Sequence, residues 1–170
     1  MTNKKPKVSK GINRRQLLSA GAAAGLSGGL GVVSTPPAQA QTAAAPRAEI
    51  ASLDEIEAGS AIDFYYPDDD SPAILLRMEG PVDGGQGPDQ SLVAYSMLCT
   101  HKGCPLSWNE DQKILICPCH WSSFDPAKKG RMIIGQASQS LPTITLQIED
   151  GKVYATGVEG LIFGRQTNVL

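Results

Sequence analysis

No acidic residue precedes Glu49, although the 170-residue chain carries seventeen, and six of its fifteen basic residues lie before residue 16. The N-terminal segment is therefore a different object from the rest. The chain also lacks an internal repeat, a heptad pattern and any long amphipathic helix, which excludes coiled coils. At 19% charged and 41% hydrophobic it lacks the bias of disordered or collagen-like chains. Its length suits one domain and is short for two, so most multidomain enzymes are excluded. Histidine and cysteine are scarce, at two and four residues. What matters is where those six stand.

The basic N-terminus leads into Leu17 to Val33, which is uncharged and rich in Ala, Gly and Leu, and then into Ala38-Gln39-Ala40. This order predicts a secretory signal over residues 1–40 with an A-x-A cleavage site. Arg14-Arg15 followed by Gln16-Leu17-Leu18 matches a twin-arginine export signal, the route of proteins that fold before export, so the expected location is the periplasm. The alternative is an uncleaved anchor. Five glycines among those residues make the segment weakly apolar and favour cleavage, leaving no membrane span. The mature chain, 41–170, then holds nine basic and seventeen acidic residues, a net charge of -8, which excludes nucleic acid as a partner.

From Gln41 onward the pattern is one of short strands between turn residues. Strands are expected at 61–66, 73–78, 92–98, 113–117, 132–134, 143–148 and 152–156, with Asp150-Gly151 as a tight hairpin turn. Asp68-Asp69-Asp70 and Gly80 to Gln90 read as solvated loops. Ser52-Leu53-Asp54-Glu55 fits a capping box at the head of a turn or two of helix. The expected class is all-β and mainly antiparallel.

All four cysteines and both histidines fall between residues 99 and 120, as Cys99-Thr100-His101-Lys102-Gly103-Cys104 and Cys117-Pro118-Cys119-His120. Three chemistries suit that set. Two disulfides are normal in an exported protein but leave the histidines without a role. A structural zinc site takes the same ligand types, yet zinc fingers usually run as a cysteine pair and then a histidine pair. A Rieske centre, in which two cysteines hold one iron and two histidines the other, uses one ligand of each kind per loop, as found here.

The two segments resemble the boxes C-T-H-x-G-C and C-P-C-H-x-S of the Rieske family, with fifteen residues, 102 to 116, between the first histidine and the next cysteine. The resemblance implies a 2Fe-2S cluster held by Cys99, His101, Cys117 and His120, in a cluster-binding subdomain of about residues 97–137 within a domain 41–170. It also implies a disulfide between Cys104 and Cys119, and a tuning role for Ser122, matching a serine that donates to a cluster sulfur. Phe124 stands where respiratory Rieske proteins carry a tyrosine. Trp121 replaces the usual glycine, and Gly135-Gln136-Ala137-Ser138 replaces a proline-rich cover loop.

Residues 60–170 further resemble the small-subunit family of arsenite oxidases, through Phe64-Tyr65-Tyr66-Pro67-Asp68, Val93-Ala94-Tyr95-Ser96, Gly135-Gln136-Ala137 and the tail Gly160 to Leu170. That likeness implies a heterodimer with a molybdenum-containing large subunit that also carries a 3Fe-4S cluster and oxidises arsenite. The small subunit would pass electrons to a soluble acceptor such as a cytochrome c or a small copper protein. The expected place of Arg165 is then at a carboxylate or cofactor edge, with the tail packed on the large subunit. Two other readings stay open: the Rieske subunit of a quinol-oxidising respiratory complex, and a zinc-bound interaction module.

Overall fold

Residues Pro72–Arg77 and Leu92–Ser96 are buried along nearly their whole length, which requires packing on both faces of a sheet. The computed structural model describes residues 45–168. The expected export segment 1–40, and Val169 and Leu170 of the tail, lie outside them. Ten strands follow in chain order: β1 Ala48–Ser52, β2 Ala61–Tyr65, β3 Pro72–Arg77, β4 Leu92–Ser96, β5 Ser107–Asn109, β6 Ile114–Ile116, β7 Ser123–Asp125, β8 Arg131–Ile134, β9 Thr143–Glu149 and β10 Lys152–Glu159. They form a six-stranded sheet in the order β1-β10-β9-β4-β3-β2 and a four-stranded sheet β5-β6-β7-β8, with antiparallel pairing between neighbouring strands. The protein is all-β. Among the described residues, no helix is long and apolar enough to cross a membrane.

Side chains on a strand alternate between faces, and here each face feeds its own core. Ala73 and Leu75 of β3 join Leu92 and Ala94 of β4, together with Ile144, Val153 and Ala155, in one cluster. Ile74, Leu76, Val93 and Tyr95 turn the other way, into a second cluster with Leu106, Leu115, Phe124, Cys99 and Cys117. The small sheet thus rests on β3 and β4. Tyr95 is fully buried in this layer: its hydroxyl donates to Pro126 O at 2.8 Å, and burial raises its pKa well above the usual phenol range.

Three local expectations are corrected. Ser52 makes no capping hydrogen bond; it ends β1, and Leu53–Glu55 form a single 3-10 turn, because pairing with β10 takes the preceding residues into the sheet. Gly80 to Gln90 is not all solvated loop. β9 touches β4 in register only at Tyr95 and Thr143, and Gln86 fills the gap above. Its Oε1 accepts from Leu146 N at 2.6 Å and its Nε2 donates to Ile144 O at 3.3 Å. Asp68, expected in solvent, pairs instead with Arg165 of the same chain. The Asp150-Gly151 turn does join β9 to β10, with φ of +49° and +75°, the pattern of a tight hairpin.

Candidate metal centre

The residues between β4 and β5, and those between β6 and β7, leave one end of the small sheet as two loops built to one plan. In the first, Cys99 N–H donates to Cys104 O at 2.9 Å and Gly103 N–H donates to Cys99 O at 2.8 Å. In the second, Cys117 N–H donates to Ser122 O at 2.8 Å and Trp121 N–H donates to Cys117 O at 2.9 Å. Each loop therefore starts on a cysteine, closes on the sixth residue, and needs a positive φ at the fifth. That residue is Gly103 at +71° in one and Trp121 at +59° in the other. A non-glycine residue held there costs about 1–2 kcal/mol.

Cys104 and Cys119 are joined by a disulfide across the two loops. Cys99 and Cys117 are left as free thiols, each 1% exposed. Three sulfurs, those of Cys104, Cys117 and Cys119, lie within 4.8 Å of one another, but two are spent in the disulfide, so they are not a ligand set by themselves. Burial pushes the Cys99 thiol up, and the Cys117 thiol beside it adds to the rise, against the lowering pull of the His101 and Lys102 backbone amides. The His101 and His120 rings meet edge to face with centroids 4.8 Å apart. His120 is exposed and His101 half-buried.

His101 Nδ1 is buried without a hydrogen-bond partner. A buried imidazole nitrogen left so is costly, and a metal that takes thiolates and imidazoles alike would satisfy it. The donor set therefore fits a centre held by two thiolates and two imidazoles.

Ser122, fully buried, is the hub behind the second loop. Its Oγ accepts from Gln136 N and Ala137 N, both at 3.0 Å, so its one hydroxyl hydrogen remains to be given elsewhere. Gly135 makes this possible: its φ is +115°, and a Cβ there would stand 2.3 Å from Ser122 Cα. Phe124 lies on β7 opposite Leu115, fully buried in the cluster that contains Cys99 and Cys117. The first loop is tied outward by Thr100, whose Oγ1 donates to Gln139 O at 2.9 Å.

Sequence reasoning found the two boxes and put 135–138 beside them. It did not find the Ser122 acceptor pair or the Thr100 link, because their partners are distant in sequence and carry no motif. The positive φ at Trp121 had a signal: the same slot in the first box holds glycine.

Residues 48–145 match the family described as "Rieske [2Fe-2S] domain". The iodate reductase subunit IdrB of Denitromonas iodatirespirans is 34% identical over 160 residues, 92% of this chain and 86% of that one. The IdrB subunit of Pseudomonas sp. (strain SCT) is 37% identical over 158 residues, 89% of this chain and 81% of that one. Among solved structures, the soluble domain of Rieske protein II (soxF) from Sulfolobus acidocaldarius superposes with a TM-score of 0.62 at 24% identity, covering 71% of this chain and 82% of that one, a likeness of fold.

Proposed function

Since the chain belongs to the Rieske [2Fe-2S] family, we propose that Cys99 and Cys117 hold one iron of its cluster, that His101 and His120 hold the other, and that the protein relays single electrons. The observation that carries this is that the same two loops hold two free buried thiols and two touching imidazoles, one of these with an orphaned buried nitrogen. With neutral imidazoles in place of two thiolates, the group accepts an electron at a higher potential than an all-cysteine cluster. The chain's own part is to bury the sulfur side, leave His120 at the surface, and keep the Ser122 hydroxyl buried behind the second loop.

The protein is, in this reading, the electron-transfer subunit of a periplasmic arsenite oxidase. Its large subunit holds molybdenum and oxidises arsenite, and a cytochrome c or small copper protein takes the electrons. The resemblance of residues 60–170 supports it. A second reading, favoured by the two IdrB relatives, is service to an iodate reductase, in which electrons run the opposite way. Purification with the accompanying large subunit separates the two. Arsenite should bleach the visible bands of the oxidised complex, and molybdenum should copurify; recolouring of the reduced complex by iodate, with no response to arsenite, would favour the second. A quinol-oxidising role is disfavoured by Phe124, which cannot donate a hydrogen bond, and by Trp121.

For export, replacement of Arg14-Arg15 by two lysines should leave the precursor in the cytoplasm. Cluster-loaded protein in the periplasm of that strain would remove the twin-arginine reading.

The tuning roles are testable by redox titration at one pH. Phe124→Tyr adds a donor beside the sulfur ligands and should raise the potential on the order of 40 mV, the equivalent of about 1 kcal/mol for one electron. Ser122→Ala should lower it, and should also destabilise the fold, since the amides of Gln136 and Ala137 lose their acceptor. A lowered or unchanged potential in a fully loaded Phe124→Tyr protein would mean that the ring edge faces away from the sulfur.

A further inference from the structure

The two loops share one backbone plan but not one set of supports. The second carries its own aromatic ring at the fifth position, Trp121, 71% exposed. The first has Gly103 there, and its side-chain space is filled from elsewhere: a Cβ on Gly103 would stand 2.4 Å and 2.7 Å from Cδ1 and Cε1 of Phe163. The ring that the second loop carries on its own residue reaches the first loop from a residue sixty positions on.

Phe163, 40% exposed, is carried by a strap, residues 160–168. Ile162, 1% exposed, is inserted beside it. Asn168 closes the strap on itself, its Oδ1 accepting from Ile162 N at 3.1 Å and its Nδ2 donating to Gly160 O. Arg165 N–H donates to Ile162 O at 3.1 Å. The Arg165 guanidinium pairs with Asp68 and donates to the buried Ser71 Oγ at 2.9 Å, while Ser71 donates to Asp68 Oδ1 at 2.8 Å. The Arg165 hydrogen bond is the largest cause holding the Asp68 carboxyl below the usual range, with Ser71 assisting against partial desolvation. The carboxylate expected to meet Arg165 is thus Asp68 of its own chain.

We propose that Phe163 is a positioning residue for the first ligand loop: it clamps Gly103, and with it the run Cys99 to Cys104 that presents Cys99 and His101, while the Arg165–Asp68–Ser71 latch keeps the clamp closed. The need is visible in the other tethers. The second loop is anchored through Ser122 to two backbone amides, whereas the first has Thr100 on Gln139. The inference rests on the ligand set proposed above and not on the substrate.

The test uses the cluster-loaded protein as purified with its partner, in wild type, Phe163→Ala, Phe163→Leu and Arg165→Gln. Amide hydrogen exchange over 99–104 is compared with that over 117–122, alongside the midpoint potential. Phe163→Ala should speed exchange over 99–104 several-fold and leave 117–122 unchanged. The potential should rise, since water reaching the first loop favours the more negative reduced state. Phe163→Leu should restore most of both, and Arg165→Gln should move both in the same direction as Phe163→Ala. Equal acceleration in the two loops, or none over 99–104 in Arg165→Gln, would overturn the proposal, even where Phe163→Ala fails to load. A wild-type protein with no visible spectrum would instead count against the ligand set.

Discussion

Adding one methyl group at Gly135 is expected to cost about 3 kcal/mol or more and to leave the protein short of iron. Two penalties coincide there. A φ of +115° lies in backbone space that only glycine occupies freely, and the new Cβ would meet Ser122 Cα at 2.3 Å, Ser122 N at 2.7 Å and Ser122 Oγ at 2.7 Å. Two of those atoms are backbone, so no rotamer change relieves the clash. Either the second loop moves, taking Cys117 and His120 with it, or residues 135–137 retreat and the Ser122 hydroxyl loses both amide partners. Gly80→Ala is the control, because nothing lies within 4 Å of its added Cβ and its φ is not positive. Thermal melting and iron per chain would be measured for both. Full iron with an unchanged melting temperature in Gly135→Ala would mean that the loop and Ser122 are not in contact as described.

The second large effect concerns the disulfide and separates a staple from a ligand pair. Cys104→Ser with Cys119→Ser should lower stability by about 3 kcal/mol, the chain-entropy expectation for a bridge closing a loop of fifteen residues. The loops are also held by the small sheet, by Ser122 and by Thr100, so the double variant should still take up two irons per chain. Loss of all iron from a folded double variant would show that the free and bonded pairs had been exchanged. Cys117→Ser alone should abolish loading whatever happens to the disulfide.

The sequence announced the site better than it announced the sheets. Both boxes are local, each expected ligand within five residues of its loop's start, so short-range spacing brings all four cysteines and both histidines to notice, and the family resemblance divides the cysteines. The strands that pair at length, 61–65, 72–77, 92–96, 143–149 and 152–159, also showed themselves, since β-branched and apolar runs between turns suffice. β5 and β7 escaped because Ser-Trp-Asn and Ser-Phe-Asp have one apolar residue between polar ones, whereas the equally short Ile-Leu-Ile of β6 is apolar throughout. β1 escaped because Ser52-Leu53-Asp54-Glu55 imitates a helix start, and only the β10 edge, a hundred residues away, decides otherwise. The strap was hidden for the same reason. Nothing near Gly103 points to Phe163, and nothing near Asp68 points to Arg165.

The doubly buried pair β3 and β4 bears on how the molecule is assembled. The small sheet with its loops leaves the large sheet at Ser96 and returns at Pro142, where Ser96 N–H donates to Pro142 O at 3.0 Å, so its two ends are pinned together by the scaffold. It is an insert whose closure the large sheet supplies. Yet Ile74, Leu76, Val93 and Tyr95, the scaffold's own side chains, have their cover only when that insert is in place. A chain caught before the insert is ordered would therefore present a continuous oily strip on its two central strands, which ties maturation of the metal centre to solubility as well as to electron transfer.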